Sequence, residues 1–384
     1  MGRRVARAAL YTLKGISQTR CESMATREKR IFSELKDDID AVVLINGTEP
    51  HLDQSFFYAT GIINGLFEDC VAIVRPRGVE VLSSEREELS ARQASAKTAI
   101  YKDGKQRTGL TTKRLKGLKK IGINSNELTH SNYSFIKMCS KGARLMDVSK
   151  YVARARMLKD SEEVTRIKKA CVIASRTADA IPDLVKKGMI ETEAAAEINY
   201  MMMKLGASGP SFGTNASFGS TTAEPHYVPA SRKLKAGQLA LFDFGAAYKR
   251  YVSDITRTFV CSTPNARQME MYDVVLRAQL AAIDAIRDGV HGKEVDQAAR
   301  KIVDRSSFKG RFIHSTGHGL GLSVHDPGSI SSSRDMILKE GMILTVEPGV
   351  YVKDFGGVRI EDDVLVTKKG CRILTTASKE FVRL

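Results

Sequence analysis

The chain has 384 residues, 42% of them apolar and 27% charged, with a formal net charge of +16. That length supports two domains around a core that needs no disulfide or metal to stand. No apolar run approaches the roughly 18 residues that cross a bilayer, so no membrane partner is expected. The six cysteines, at 21, 70, 139, 171, 261 and 371, have no C-x-x-C spacing, which argues against a disulfide frame and fits a reducing, cytoplasmic compartment.

Residues 1–23 form a basic tail, with Arg3, Arg4, Arg7, Lys14 and Arg20 and no acid up to Arg20. It lacks the apolar stretch of a secretory signal. It reads either as an acid-poor organelle-targeting segment or as a dispensable extension before Met24, where a helix-like pattern begins. The second reading is expected here.

Residues 24–157 alternate short strand and helix signals. Ala41–Ile45 is a buried strand by composition, and Val71–Val74 and Val79–Leu82 flank the turn residues Arg75-Pro76-Arg77-Gly78 as a hairpin. A helix is expected over Glu85–Ala96, a strand at Ile121–Asn124 and a helix over Thr129–Cys139. The run Lys113–Lys120 holds five cations but no aromatic residue to stack a base, so it reads as a solvated face and nucleic acid is not an expected partner.

From residue 158 to 384 the pattern changes. Asp160-Ser161-Glu162-Glu163 starts a long helix reaching about Lys187, and a second helix, Glu191–Leu205, stops at Gly206. Strand and turn signals run to about Val260. Helices over Ala266–Asp288 and Lys293–Ser306 follow, and the chain then returns to strands.

Acids in this half stand in unusual places. Asp243 lies within the apolar strand Leu239–Gly245, where an unpaired carboxylate is expensive and needs a cation or donors. A turn centred between Tyr248 and Lys249 predicts that Asp254, on the β-branched strand that follows, lies directly opposite Asp243. Folding Met342–Glu347 onto Gly357–Glu361 about Asp354 likewise brings Glu347 opposite Glu361, with Arg359 on the same face by period-2 alternation. Between the two hairpins, His314, His318 and His325 fall within twelve residues among glycines that permit close backbone approach. His226 precedes the Asp243 strand. The set Asp243, Asp254, His318, Glu347 and Glu361 is hard and oxygen-rich, and it can hold two divalent ions. Mn²⁺, Fe²⁺ or Co²⁺ suits it better than a thiolate zinc site would, with Zn²⁺ a further option.

These residues, in this order and with the blocks Asp-Phe-Gly (243–245), Ser-Asp-Ile-Thr-Arg-Thr-Phe (253–259), Gly-His-Gly-Leu-Gly (317–321), Val-Glu-Pro-Gly-Val-Tyr (346–351) and Gly-Gly-Val-Arg-Ile-Glu-Asp (356–362), resemble the pita-bread metallopeptidases of family M24. That family includes methionine aminopeptidase, aminopeptidase P and prolidase, and the likeness is to its proline-specific branch. The resemblance implies an α+β fold: a pita-bread catalytic domain preceded by a smaller α/β creatinase-type domain. It further implies that Asp243 binds one metal, that His318 and Glu347 bind the other, and that Asp254 and Glu361 bridge both. His226 and His325 would face the substrate and handle protons, and Glu347 would shuttle the proton of a metal-bridging hydroxide. His314 would line the pocket, and Arg359 would support a ligand from behind or contact substrate. Phe212, where the family usually has an aromatic residue, would pack on a prolyl ring. The implied substrate is an Xaa-Pro peptide and the implied assembly a homodimer. Whether dipeptides or longer peptides are cleaved stays open; Arg334 is the cation suited to a free carboxylate. The rival reading is a non-enzymatic binder of nucleic acid or protein on the same fold. It is supported by the net charge and opposed by the complete ligand set.

Overall fold

The computed structural model describes residues 26–94, 96–334 and 336–384, so the basic tail and Cys21 lie outside the described residues. The front part opens with α1 (Arg27–Glu34) and is built on six strands: β1 (Ala41–Ile45), β2 (Val71–Arg75), β3 (Gly78–Ser84), β4 (Lys97–Tyr101), β5 (Lys120–Ile123) and β6 (Arg144–Asp147). They form one sheet in the order β4-β3-β2-β1-β5-β6, with β1 at its centre and every residue of β1 buried. A central strand covered on both faces is a continuous apolar run, as Ala-Val-Val-Leu-Ile is. Helices α2 (Gln54–Thr60), α3 (Glu88–Gln93), α4 (Gly104–Leu115), α5 (His130–Cys139) and α6 (Ser149–Met157) flank the sheet. Asp53, Asp103 and Thr129 cap α2, α4 and α5 by accepting hydrogen bonds from backbone N–H groups.

The helix expected over 85–96 is shorter. Glu85–Glu87 is a 3₁₀ turn and α3 stops at Gln93, because the chain must extend at Lys97 to pair in parallel with Glu80 of β3. The basic run is divided between elements. Lys113 and Arg114 close α4, where cations complement the helix C-terminus, and Arg114 also pairs with Glu80 at 2.9 Å.

The second part has two similar halves. In the first, α7 (Ser161–Leu184) starts from a capping box of Asp160 and Glu163, and α8 (Glu191–Lys204) follows. After the short β7 (Gly209–Pro210), β8 (Asn215–Phe218), β9 (Leu239–Phe244), β10 (Ala246–Tyr248), β11 (Tyr251–Val252) and β12 (Ile255–Val260) form two small sheets, ordered β12-β9-β8 and β11-β10-β7. Ile173, Ile181 and Ile198 of the helices pack with Phe218, Phe242 and Phe244 of the strands. In the second half, α9 (Ala266–Ala285) and α10 (Gly292–Asp304) precede β13 (Gly317–Gly319), β14 (Asp326–Ile330), β15 (Ile343–Val346), β16 (Gly349–Val352), β17 (Gly356–Arg359), β18 (Asp362–Thr367) and β19 (Gly370–Ile373). A five-stranded sheet runs β14-β13-β15-β18-β19, with β16-β17 as a separate hairpin. Val275, Val295 and Val303 pack with Leu344, Val346 and Val364.

A further core crosses from front to back. Ile31, Phe56, Tyr58 and Val152 pack in one cluster with Ile167, Tyr251, Leu320 and Ile343. Among the described residues no helix is long and apolar enough to cross a membrane. The five described cysteines are free, four of them buried.

Candidate metal centre

The first hairpin turns one residue later than expected. Asp243 pairs with Thr256, so Asp254 is its diagonal neighbour rather than its direct opposite. The turn residues are Lys249 and Arg250, at φ 47° and 70°. Two consecutive positive φ values define the tight hairpin whose twist matches the strands, normally marked by Gly or Asn. Neither is present, so the sequence carries no sign of the true register. The shift still leaves both acids on one face, because a displacement of two residues preserves side-chain alternation. The second hairpin matches expectation. Gly349 pairs with Arg359 and Val352 with Gly356, centring it on Asp354, and the same register carried outward sets Glu347 opposite Glu361.

The hairpins meet along a seam of threonines. Glu361 N–H donates to Thr256 O at 3.2 Å, and the Thr256 hydroxyl donates to Glu361 Oε2 at 2.6 Å. Arg359 N–H donates to Thr258 Oγ1, which itself donates to Arg359 O. Behind this seam the buried Arg257 spans Glu361 O, Ala377 O, Ser378 O and the Asp362 carboxylate. Arg359 is also buried. It donates to Asp243 Oδ2, Thr256 Oγ1 and Tyr351 Oη, which orients one carboxylate of the cluster.

His318 enters from β13. Its backbone N–H donates to Thr345 Oγ1 at 3.0 Å, and its Nδ1 lies 3.1 Å from Gly319 O. That contact leaves Nε2 facing the acids, 3.3 Å from Glu347 Oε1 and 3.7 Å from Asp254 Oδ2. Gly317 allows the approach, since a Cβ there would stand 1.9 Å from Thr345 O. The His325 ring packs edge-on against His318 with centroids 4.5 Å apart. His314 Nε2 bonds Tyr351 Oη at 2.9 Å. His226 sits exposed in the turn after Pro225, close enough for its charge to act on His314, His325 and Glu347. Phe212 is half-buried in the bend between β7 and β8, and no described contact joins it to the cluster.

Burial and mutual repulsion raise the proton affinity of the acids. Asp254 and Glu361 are pushed well above the usual carboxylate range, chiefly by burial and then by facing charges. Glu347 is raised to about 7, chiefly by burial, with Arg359 opposing. Burial lowers His318 and His325, and lowers His314 to about 4, so all three imidazoles are neutral at pH 7. Asp254, His318 and Glu361 each offer a ligand atom, all within 4.8 Å of one another. Asp243 Oδ1 and Asp254 Oδ1 are buried without a hydrogen-bond partner. Orphaned carboxylate oxygens beside a neutral imidazole fit a divalent cation.

Several contributors were not foreseen. Thr256 was findable, because it lies two residues beyond Asp254 on the same strand face. Thr345, by the same spacing before Glu347, was findable as well. Arg257, Tyr351 and Asp363, whose Oδ2 accepts from Asp254 N–H at 3.0 Å, carried no such signal, since each reaches the cluster through tertiary contact. A cleft of about 1000 Å³ opens beside the cluster, with His318, His325 and Arg334 on one side and Asn124 and Arg156 of the front part on the other.

Two family models match the chain: Metallopeptidase family M24 over residues 165–368 and Creatinase/Prolidase N-terminal domain over residues 29–158. The chain belongs to metallopeptidase family M24. It is 38% identical over 273 residues to an Xaa-Pro dipeptidase of Pyrococcus horikoshii, covering 70% of this chain and 77% of that protein. Its fold is similar to that of an Xaa-Pro dipeptidase from Bacillus anthracis, with a TM-score of 0.86 and 31% identity over 93% of this chain and 99% of the other. It is also similar to an X-Pro aminopeptidase from Thermotoga maritima, with a TM-score of 0.84 and 30% identity over 90% and 98% of the two chains.

Proposed function

We propose that this chain hydrolyses Xaa-Pro peptide bonds with two divalent ions, Mn²⁺ first among them. Asp243, Asp254, His318, Glu347 and Glu361 would hold the ions. The observation that carries the reading is the convergence of both hairpins on one point, with two buried carboxylate oxygens left without a donor. Bound there, the ions would supply water activation near neutral pH and offset charge on the scissile carbonyl.

The chain's own residues divide the remaining work. Glu347, with a proton affinity near neutrality, takes and returns a proton at Oε1. His325 and His226 face the peptide and donate to the carbonyl oxygen as negative charge develops there. His314, fixed by Tyr351, lines the site as a neutral imidazole. Arg359 holds Asp243 in place. Phe212 would supply apolar contact for the prolyl ring. Residues 24–157 act as one wall of the cleft and 158–384 as the catalytic body, in a cytoplasmic homodimer.

A dipeptidase is favoured over an aminopeptidase, because Arg334 lines the same cleft as His318 and His325 and suits a free carboxylate. The test is hydrolysis of Ala-Pro and Ala-Pro-Ala with Mn²⁺. Ala-Pro should be cleaved the faster, and Asp254→Asn should abolish turnover. Undiminished activity of that variant sinks the proposal.

A further inference from the structure

His325 is not a cluster carboxylate's hydrogen-bond partner, yet its ring is held against His318. Its position is set by the residue after it. Gly319 of β13 pairs with Asp326 of β14, with a bulge between His318 and Gly319, so the segment 320–325 is a loop closed at its base by Asp326. The Asp326 side chain is 2% exposed and meets two buried cations. Oδ1 accepts from Arg156 Nη2, and Oδ2 accepts from Lys159 Nζ at 3.2 Å. Gly321 makes the seat, since a Cβ there would stand 2.3 Å from Asp326 Oδ2.

One of the cations, Arg156, comes from the front part, and Lys159 stands just past the boundary, ahead of α7. Arg156 lies in the last turn of α6, and its Nη1 donates to Ser55 Oγ at 3.1 Å. Asn124 of the front part donates to that same hydroxyl and to Asp53 Oδ1. A polar chain therefore runs from Asp53, Asn124 and Ser55 of the front part through Arg156 to Asp326 and ends one residue from His325. A surface pair would be weak and screened, but a buried ion triad is geometrically demanding and is not disrupted without cost.

We propose that Arg156, Lys159 and Asp326 are positioning residues for His325, an ion triad across the domain boundary that fixes the histidine loop over the carboxylates. The proposal rests on the reading of His325 as substrate-facing. It predicts that Arg156 acts through His325 and not through substrate. The measurement is kcat and KM for Ala-Pro in the full-length Mn²⁺-loaded protein, comparing wild type, Arg156→Met, His325→Ala and the double variant. Arg156→Met should lower kcat tenfold or more with a smaller change in KM, and less than twofold when His325 is already alanine. Equal losses in both backgrounds, or no loss, overturn the proposal; equal losses are also what a direct substrate contact by Arg156 gives.

If Arg156→Met does not fold, Arg156→Lys, which keeps the charge but cannot reach both Asp326 and Ser55, goes through the same cycle with the same two outcomes. A second readout needs no activity. In metal-free protein with labelled histidine rings, the His325 resonances, assigned by their loss in His325→Ala, should move in Arg156→Lys while those of His130 stay in place. Unmoved His325 signals overturn the triad's role. A wild type that leaves Ala-Pro intact overturns the functional reading alone, and this arm still decides the structural one.

Discussion

Glu347 stands where proton and metal compete. Its raised proton affinity, at about 7, comes first from burial and is only partly offset by Arg359. The ionised form is the one that holds a cation, so Mn²⁺ affinity should fall as pH drops below about 7, by about tenfold per unit for each proton displaced. Calorimetric titration at pH 8, 7 and 6 checks this, and a pH-independent affinity contradicts it. The same repulsion has a cost for the metal-free fold. A carboxylate whose folded proton affinity is raised keeps its proton where the unfolded chain has lost it. Its contribution to stability is therefore full below the ordinary carboxylate range and declines as pH rises through and above it. Asp254, pushed up by burial and by Glu361, is the clearest case. Asp254→Asn should raise the stability of the metal-free protein by about 1 kcal/mol or more at pH 7 while removing its activity. Thermal unfolding in chelator reads the first half. A destabilised variant would show that the cluster does not repel itself.

At the scale of elements, the site is two hairpins and the residues that lock them. Arg257 is almost fully buried, at 2% exposure, and joins Glu361 O to the C-terminal carbonyls of Ala377 and Ser378. Replacing it by leucine takes one of two cations from Asp362, which keeps Lys379, Gln279 and Thr375, and removes the guanidinium donor from Glu361 O, which should cost about 1–3 kcal/mol in urea unfolding. A loss under 1 kcal/mol would make the clamp incidental. The first hairpin offers the opposite change. Lys249 is exposed at φ 47°, a conformation that costs an L-residue about 1–2 kcal/mol, so Lys249→Gly should raise the melting temperature without altering kcat. This turn also marks where the sequence ceased to be informative. Strand alternation put Asp243 and Asp254 on one face, and a run of β-branched residues identified both strands. The register depended on a turn whose two residues lack the usual chemistry, held instead by Arg250 stacking on Phe57 of the front part at 3.6 Å. A contact 193 positions away in sequence cannot be read from local pattern. The second hairpin, closed about Asp354 with Gly356 beside it, advertised its register, and the expectation there was correct.

For the whole molecule, the core shared between Ile31, Phe56, Val152, Ile167 and Leu320 means that neither part buries its apolar surface alone. The isolated segment 159–384 should aggregate or unfold without cooperativity. A soluble fragment with a sharp melting transition would refute this. The two-part layout was legible in the change of pattern near residue 158, and the acids beside His318 because a carboxylate in an apolar strand is costly and therefore conspicuous. The cross-part links through Arg156 and Arg250 were not, because an arginine on a helix or turn looks like any solvated cation until its partners are seen. The threonine seam between the hairpins has a consequence of its own. Beside the main-chain bond from Glu361 N–H to Thr256 O, Thr256 and Thr258 offer hydroxyls, which pivot and can both give and receive. A join of that kind can be tightened or slackened by single substitutions with no strand rebuilt, so the spacing of the two halves is open to adjustment one atom at a time.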